Sequence, residues 1–110
     1  MANNHYASQT YSADVVAEIA NVSPIPAGPF ETGTFIAPAA MTTQKIYFYA
    51  SDTETGTYNP IASAGTTKLE IDAANAAYAY PIPAGALDGV KWLKIITETN
   101  AVAGIRLTFN

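Results

Sequence analysis

No cysteine occurs in the chain, and histidine occurs once, at position 5. The first absence excludes disulfides, thiolate metal sites and thiol nucleophiles, so the fold must stand on burial alone. The second makes any Ser-His-Asp, metal-His or histidine acid/base arrangement depend on His5, which lies in a polar terminal stretch. Charge is also scarce: Asp, Glu, Lys and Arg make up 13% of the residues, about half the usual share for a globular domain. The net charge is −4 and the few basic residues are scattered. Neutralising phosphates needs grouped Lys and Arg, so nucleic acid and anionic membranes are excluded as partners. No apolar run approaches the ~18 residues of a membrane-spanning helix. Residues 1–12, MANNHYASQTYS, have neither the basic start nor the apolar stretch of a cleaved signal. Gly28, Gly33, Gly56 and Gly65 stand singly, so no glycine loop is present to cradle a phosphate, and no cofactor is implied.

What the chain does have is 49% hydrophobic residues in 110, enough for one core and one domain. The two strongest segments are Gln44–Ser51 (QKIYFYAS) and Val90–Thr97 (VKWLKIIT), both rich in β-branched and aromatic residues and free of Gly and Pro. They are expected to pair or face each other at the centre of a β-core. Alternation turns Ile46, Phe48 and Ala50 to one side and Lys45, Tyr47, Tyr49 and Ser51 to the other; Leu93 and Ile95 likewise oppose Trp92, Lys94 and Ile96.

Residues 1–12 are polar and aperiodic and read as a flexible N-terminal arm before a domain over 13–110. They form either a frayed end or a segment that docks on a neighbouring subunit through His5, Tyr6 and Tyr11. Asp14–Asn21 alternates as a strand, with a short helix as the alternative. Asn21–Phe30 holds three prolines and a glycine and reads as a connection. Further strands are expected over Thr32–Ala37, Thr57–Ala62, Thr67–Ile71, Ala77–Ile82 and Gly104–Phe109, with hairpin turns at Asp52–Gly56 and Ser63–Thr66. Seven or eight short strands with Gly and Pro turns describe an all-β, antiparallel β-sandwich, with a jelly roll fitting the count. The string PIPAG occurs at Pro24–Gly28 and again at Pro81–Gly85, too short to establish duplication.

Chemistry is sparse. The carboxylate pairs Asp52/Glu54 and Glu70/Asp72 are spaced like solvated strand ends, with nothing in the sequence to supply an apolar pocket. Asp52, Glu54 and nearby carbonyls are hard oxygen ligands suited to calcium, but the ligand run is short. The residue inventory points away from an enzyme. Tyr47, Tyr49 and Trp92 share the face opposite the apolar one, and Tyr and Trp are types enriched at protein interfaces and able to stack on sugars. A locally covered outer face would use the same residues, with Lys91 and Lys94 laying their stems along it.

The order of segments resembles a group of small bacteriophage virion proteins. In these a strand ending in Ser-Asp leads through a short turn to an aromatic-x-Pro, then a Tyr-x-x-Pro corner, then a Gly-x-aromatic-aromatic/Leu-Lys-Ile strand. The matching residues are Ser51, Asp52, Tyr58, Pro60, Tyr80, Pro83, Gly89, Trp92, Leu93, Lys94 and Ile95, and the resemblance spans roughly Ile25 to Phe109. It departs in the hairpin DTETG and in the low charge. The resemblance implies a β-sandwich that decorates or cements a phage head, or belongs to a head fibre, with no catalytic residues. It also implies the major capsid protein as partner, a homo-oligomer (dimer or trimer), and a place on the capsid surface after synthesis in the host cytoplasm. The alternative is a carbohydrate-binding or host-adsorption module, in which exposed aromatics stack on sugar rings and Asp and Asn bind hydroxyls.

Overall fold

A computed structural model describes residues 9–15, 24–28, 30–39, 43–74, 77–99 and 102–109. Among them the structure is all-β and antiparallel, with no helix. Gln44–Ser51 forms a strand with the predicted bounds, labelled β4, and Trp92–Thr97 forms β10. The two pair antiparallel, Trp92 opposite Ser51 through Thr97 opposite Ile46. Opposite residues of an antiparallel pair share a face. Ile46, Phe48, Leu93 and Ile95 therefore lie together on the buried side, each at most 1% exposed.

The remaining strands are β1 (Gln9–Val15), β2 (Ile25–Pro26), β3 (Gly33–Ile36), β5 (Asn59–Pro60), β6 (Ala62–Ala64), β7 (Thr67–Lys68), β8 (Glu70–Ala74), β9 (Ala79–Pro81) and β11 (Val102–Phe109). One sheet runs β1-β11-β3-β9, and a second runs β2-β10-β4-β5, with β8 also pairing β4. A small ribbon, β6-β7, stands apart. Outside the insertion β5 to β8, successive strands alternate between the two larger sheets. Both sheets line one core: Phe35, Ile105, Leu107 and Phe109 from the first meet Ile46, Phe48, Leu93 and Ile95 from the second. Each such side chain contributes about 1.5–3 kcal/mol of transfer free energy. Gly33 is required there, because a Cβ at that position would lie 2.7 Å from the Phe109 ring.

Three sequence expectations change. Seven or eight strands become eleven among the described residues. The segment expected as one strand over Thr57–Ala62 is split at Ile61, after Pro60, which has no N–H to donate to a ladder. Thr67–Ile71 is split at Leu69, whose N–H turns to the Ile61 carbonyl. Ile25 and Pro26, in the proline-rich connection, pair with Leu93 and Trp92. The expected arm is shorter at its inner end: strand β1 begins at Gln9, and Gln9 to Ser12 pair with Phe109 to Arg106. Residues 1–8, including His5 and Tyr6, lie outside the described residues, as do residues 16–21 of the expected strand Asp14–Asn21. Both predicted hairpins are present, β4 turning into β5 and β6 into β7. The two PIPAG strings each bury an isoleucine, Ile25 and Ile82. Their glycines differ, since Gly85 has φ +86° and Gly28 has no positive φ.

Candidate functional site

The outer face of the second sheet carries the aromatic residues singled out in the sequence. On β4, Lys45, Tyr47, Tyr49 and Ser51 alternate with the core residues and are all half-buried. Register places Tyr49 between Lys94 and Pro60, and Tyr47 between Ile96 and Glu70. Ile96 is buried there at 7% exposure, so this face is itself apolar at its centre.

Two lysines hold the tyrosines in place. Lys68, on the β6-β7 ribbon, donates a hydrogen bond of 2.9 Å to the Tyr49 hydroxyl. Its ammonium also lies 5.1 Å from the Tyr47 ring centre and 5.4 Å from that of Tyr49. The hydrogen bond to Tyr49 raises the Lys68 pKa above its ordinary value. Lys94 sits 4.3 Å above the ring of Tyr58. Tyr58 is buried, donates its hydroxyl to the Glu54 carbonyl at 2.8 Å, and has its pKa raised by desolvation and then by Glu54. At the margin Lys45 and Glu70 form an exposed ion pair of 3.6 Å, which with Asp72 raises the Lys45 pKa. Solvent screening leaves such a pair little weight in stability. The ring faces of Tyr47, Tyr49 and Tyr58 are therefore already engaged by cations within the chain.

Trp92 and Tyr11 are placed differently. Trp92 stands at the end of this face, opposite Ser51 on one side and Pro26 on the other. Among the described residues its half-buried indole has no hydrogen-bond, ring or cation partner. Tyr11, expected in the arm, pairs with Leu107 and so shares the inner face of the first sheet, its ring 5.7 Å from Phe109. Packing at the core margin, and not the outer aromatic face, is where it lies. Sequence reasoning did not single out Lys68; its only signal is a lone cation in a ribbon otherwise free of charge.

A polar groove of about 520 Å³ adjoins the Trp92 end, between the turn after β4 and the turn before β10. Asp52 and Asp88 stand on opposite walls. Among the described residues there is no group of three or more His, Cys, Asp or Glu that could hold a metal ion. No family model, curated protein or solved structure matches the chain.

Proposed function

We propose that this chain is a non-catalytic structural protein of a bacteriophage virion, decorating or cementing the head as a homo-oligomer lodged between major capsid subunits. The observation that carries this reading is the outer face of the second sheet. Lys68 hydrogen-bonds Tyr49 and lies over the Tyr47 ring beside a buried Ile96, giving a preorganised tyrosine–lysine surface with little side-chain entropy left to lose on association. Low overall charge and the resemblance to small virion proteins support the same partner class. We further propose that the two sheets form a jelly-roll sandwich, a reading supported by the alternation of strands between them and common in viral shell domains. Fold alone would not assign the role.

In this reading the mechanism is linkage. A protein that binds the assembled shell and not its separated subunits shifts the equilibrium toward the shell by its own binding free energy. Neighbouring lattice sites supply effective concentration, so weak individual contacts suffice.

Cosedimentation with capsids of the phage that encodes the chain tests the proposal. Wild-type protein saturates the capsids, whereas Lys68→Glu and the double variant Tyr47→Ala/Tyr49→Ala, checked by circular dichroism, bind about tenfold or more weakly. Absence of wild-type binding, or unchanged occupancy by folded variants, would overturn it.

A further inference from the structure

Strand β9 ends the first sheet, and its outer edge is open. Tyr80 pairs with Phe35; on either side the Ala37 N–H donates to the Tyr78 carbonyl at 2.9 Å and the Ile82 N–H to the Gly33 carbonyl at 2.8 Å. In an antiparallel ladder, residues bonded to the neighbour alternate with residues whose N–H and C=O point the other way. Ala79 and Pro81 are the outward ones, and both are exposed. Ala79 therefore presents a donor and an acceptor at the free edge, with no partner among the described residues, whereas Pro81 presents a carbonyl alone.

The side chains at this edge favour association. Tyr78 is 61% exposed, the one large hydrophobic residue so placed among the described residues. Its ring is stacked on Tyr80 at 6.1 Å between centres, and Tyr80 lies 6.3 Å from Phe35 in the core. Held by this row of rings, Tyr78 has little side-chain freedom to lose when it is covered. Ala77, just before it, has φ +62°, a left-handed conformation that strains any residue but glycine. The chain thus accepts strain at the point that turns Tyr78 outward. No residue from Ala77 to Leu87 is charged. Open edges are ordinarily guarded by Lys or another charge against pairing with a further strand, and here that guard is missing.

We infer that β9 pairs antiparallel with β9 of a second copy about a two-fold axis at Ala79, joining two four-stranded sheets edge to edge. The inference rests on the homo-oligomer of the reading above and names the surface by which copies meet. The two Ala79 residues exchange N–H···O=C bonds. Tyr78 then stands opposite Tyr80 of the second copy, and Tyr80 opposite its Tyr78, in the non-hydrogen-bonded pairs where cross-strand side chains come closest. The occupant is another β9 because this edge is its own complement: donor meets acceptor, tyrosine meets tyrosine, and no like charges oppose across the axis. A slip that centres the axis on Tyr80 leaves both Ala79 carbonyls unpaired, and one centred on Pro81 has no N–H to donate. A contact of one short edge and two tyrosine pairs is at the small end of specific interfaces, so it is weak in dilute solution and gains strength where copies share a surface.

Sedimentation equilibrium of the full chain over about 5 to 500 µM tests this with no capsid present. The expected result is a reversible monomer–dimer equilibrium, weakened about tenfold or more by Tyr78→Ala, an exposed change that keeps the wild-type melting temperature. Ala79→Lys and Ala79→Glu, each alone, place like charges across the axis and give monomers at low salt, whereas an equal mixture of the two recovers a dimer. Tyr78 and Ala79 lie at the first sheet and the tyrosine–lysine surface on the second, so the two proposals fail separately. A dimer with these properties that does not cosediment with capsids upholds the inference and removes the capsid reading; cosedimentation by a protein that stays monomeric does the reverse. A monomer throughout the range, an oligomer indifferent to both positions, or no recovery in the mixture would each overturn the inference.

Discussion

Two buried hydroxyl groups have opposite circumstances. Thr97 is 1% exposed on the inner side of β10, opposite Ile46, and its Oγ1 has no partner among the described residues. A buried hydroxyl without a hydrogen bond carries its full desolvation penalty. Thr97→Val keeps the β-branched shape and removes that cost, so it is expected to stabilise the protein by about 1 kcal/mol, read as a higher urea midpoint with an unchanged slope. Tyr58, by contrast, is satisfied by the Glu54 carbonyl. Burial raises its pKa above the ordinary value of 10.0. A raised folded-state pKa means the stabilisation is fully present below the unfolded value and is lost as pH rises through the folded one. Stability should therefore fall above pH 10, with one tyrosine titrating late in an absorbance titration. Tyr58→Phe should lose about 1 kcal/mol at neutral pH and show a shallower alkaline decline.

Among the elements, β4 and β10 were legible because their alternation is strong and uninterrupted, and β4 has the predicted bounds. Strand β1 was not. Its sequence QTYSADV is mostly polar, and an edge strand needs only one apolar face, here begun by Tyr11 against Phe109. The divided edge of β4, shared by β5 and β8, was also hidden, since it depends on where Pro60 and Leu69 fall against a partner distant in sequence. Strand β1 gives a direct prediction. Removing residues 1–8 leaves every β1–β11 pair in place and serves as the reference for a longer truncation. Removing residues 1–12 deletes the pairs from Gln9–Phe109 to Ser12–Arg106 and uncovers the Phe109 ring. That truncation should cost about 2–4 kcal/mol, comparable to losing a large buried side chain, and thermal unfolding of the two truncations checks it.

At the scale of the whole molecule, composition and period were enough for an all-β antiparallel domain, because few charges and many short alternating runs leave little else. The groove was beyond reach of the sequence. Asp52 and Asp88 are far apart along the chain and line one groove only because Ser51 and Trp92 are ladder partners. The pairing of β1 with β11 joins nearly the first described residues to the last. That sheet can therefore close only after residues as far as Phe109 have been made, and until then the inner surface of β3 waits without β11. Folding should accordingly be slow for a domain of this size, and the interval before closure is when its unpaired strands are most exposed to self-association.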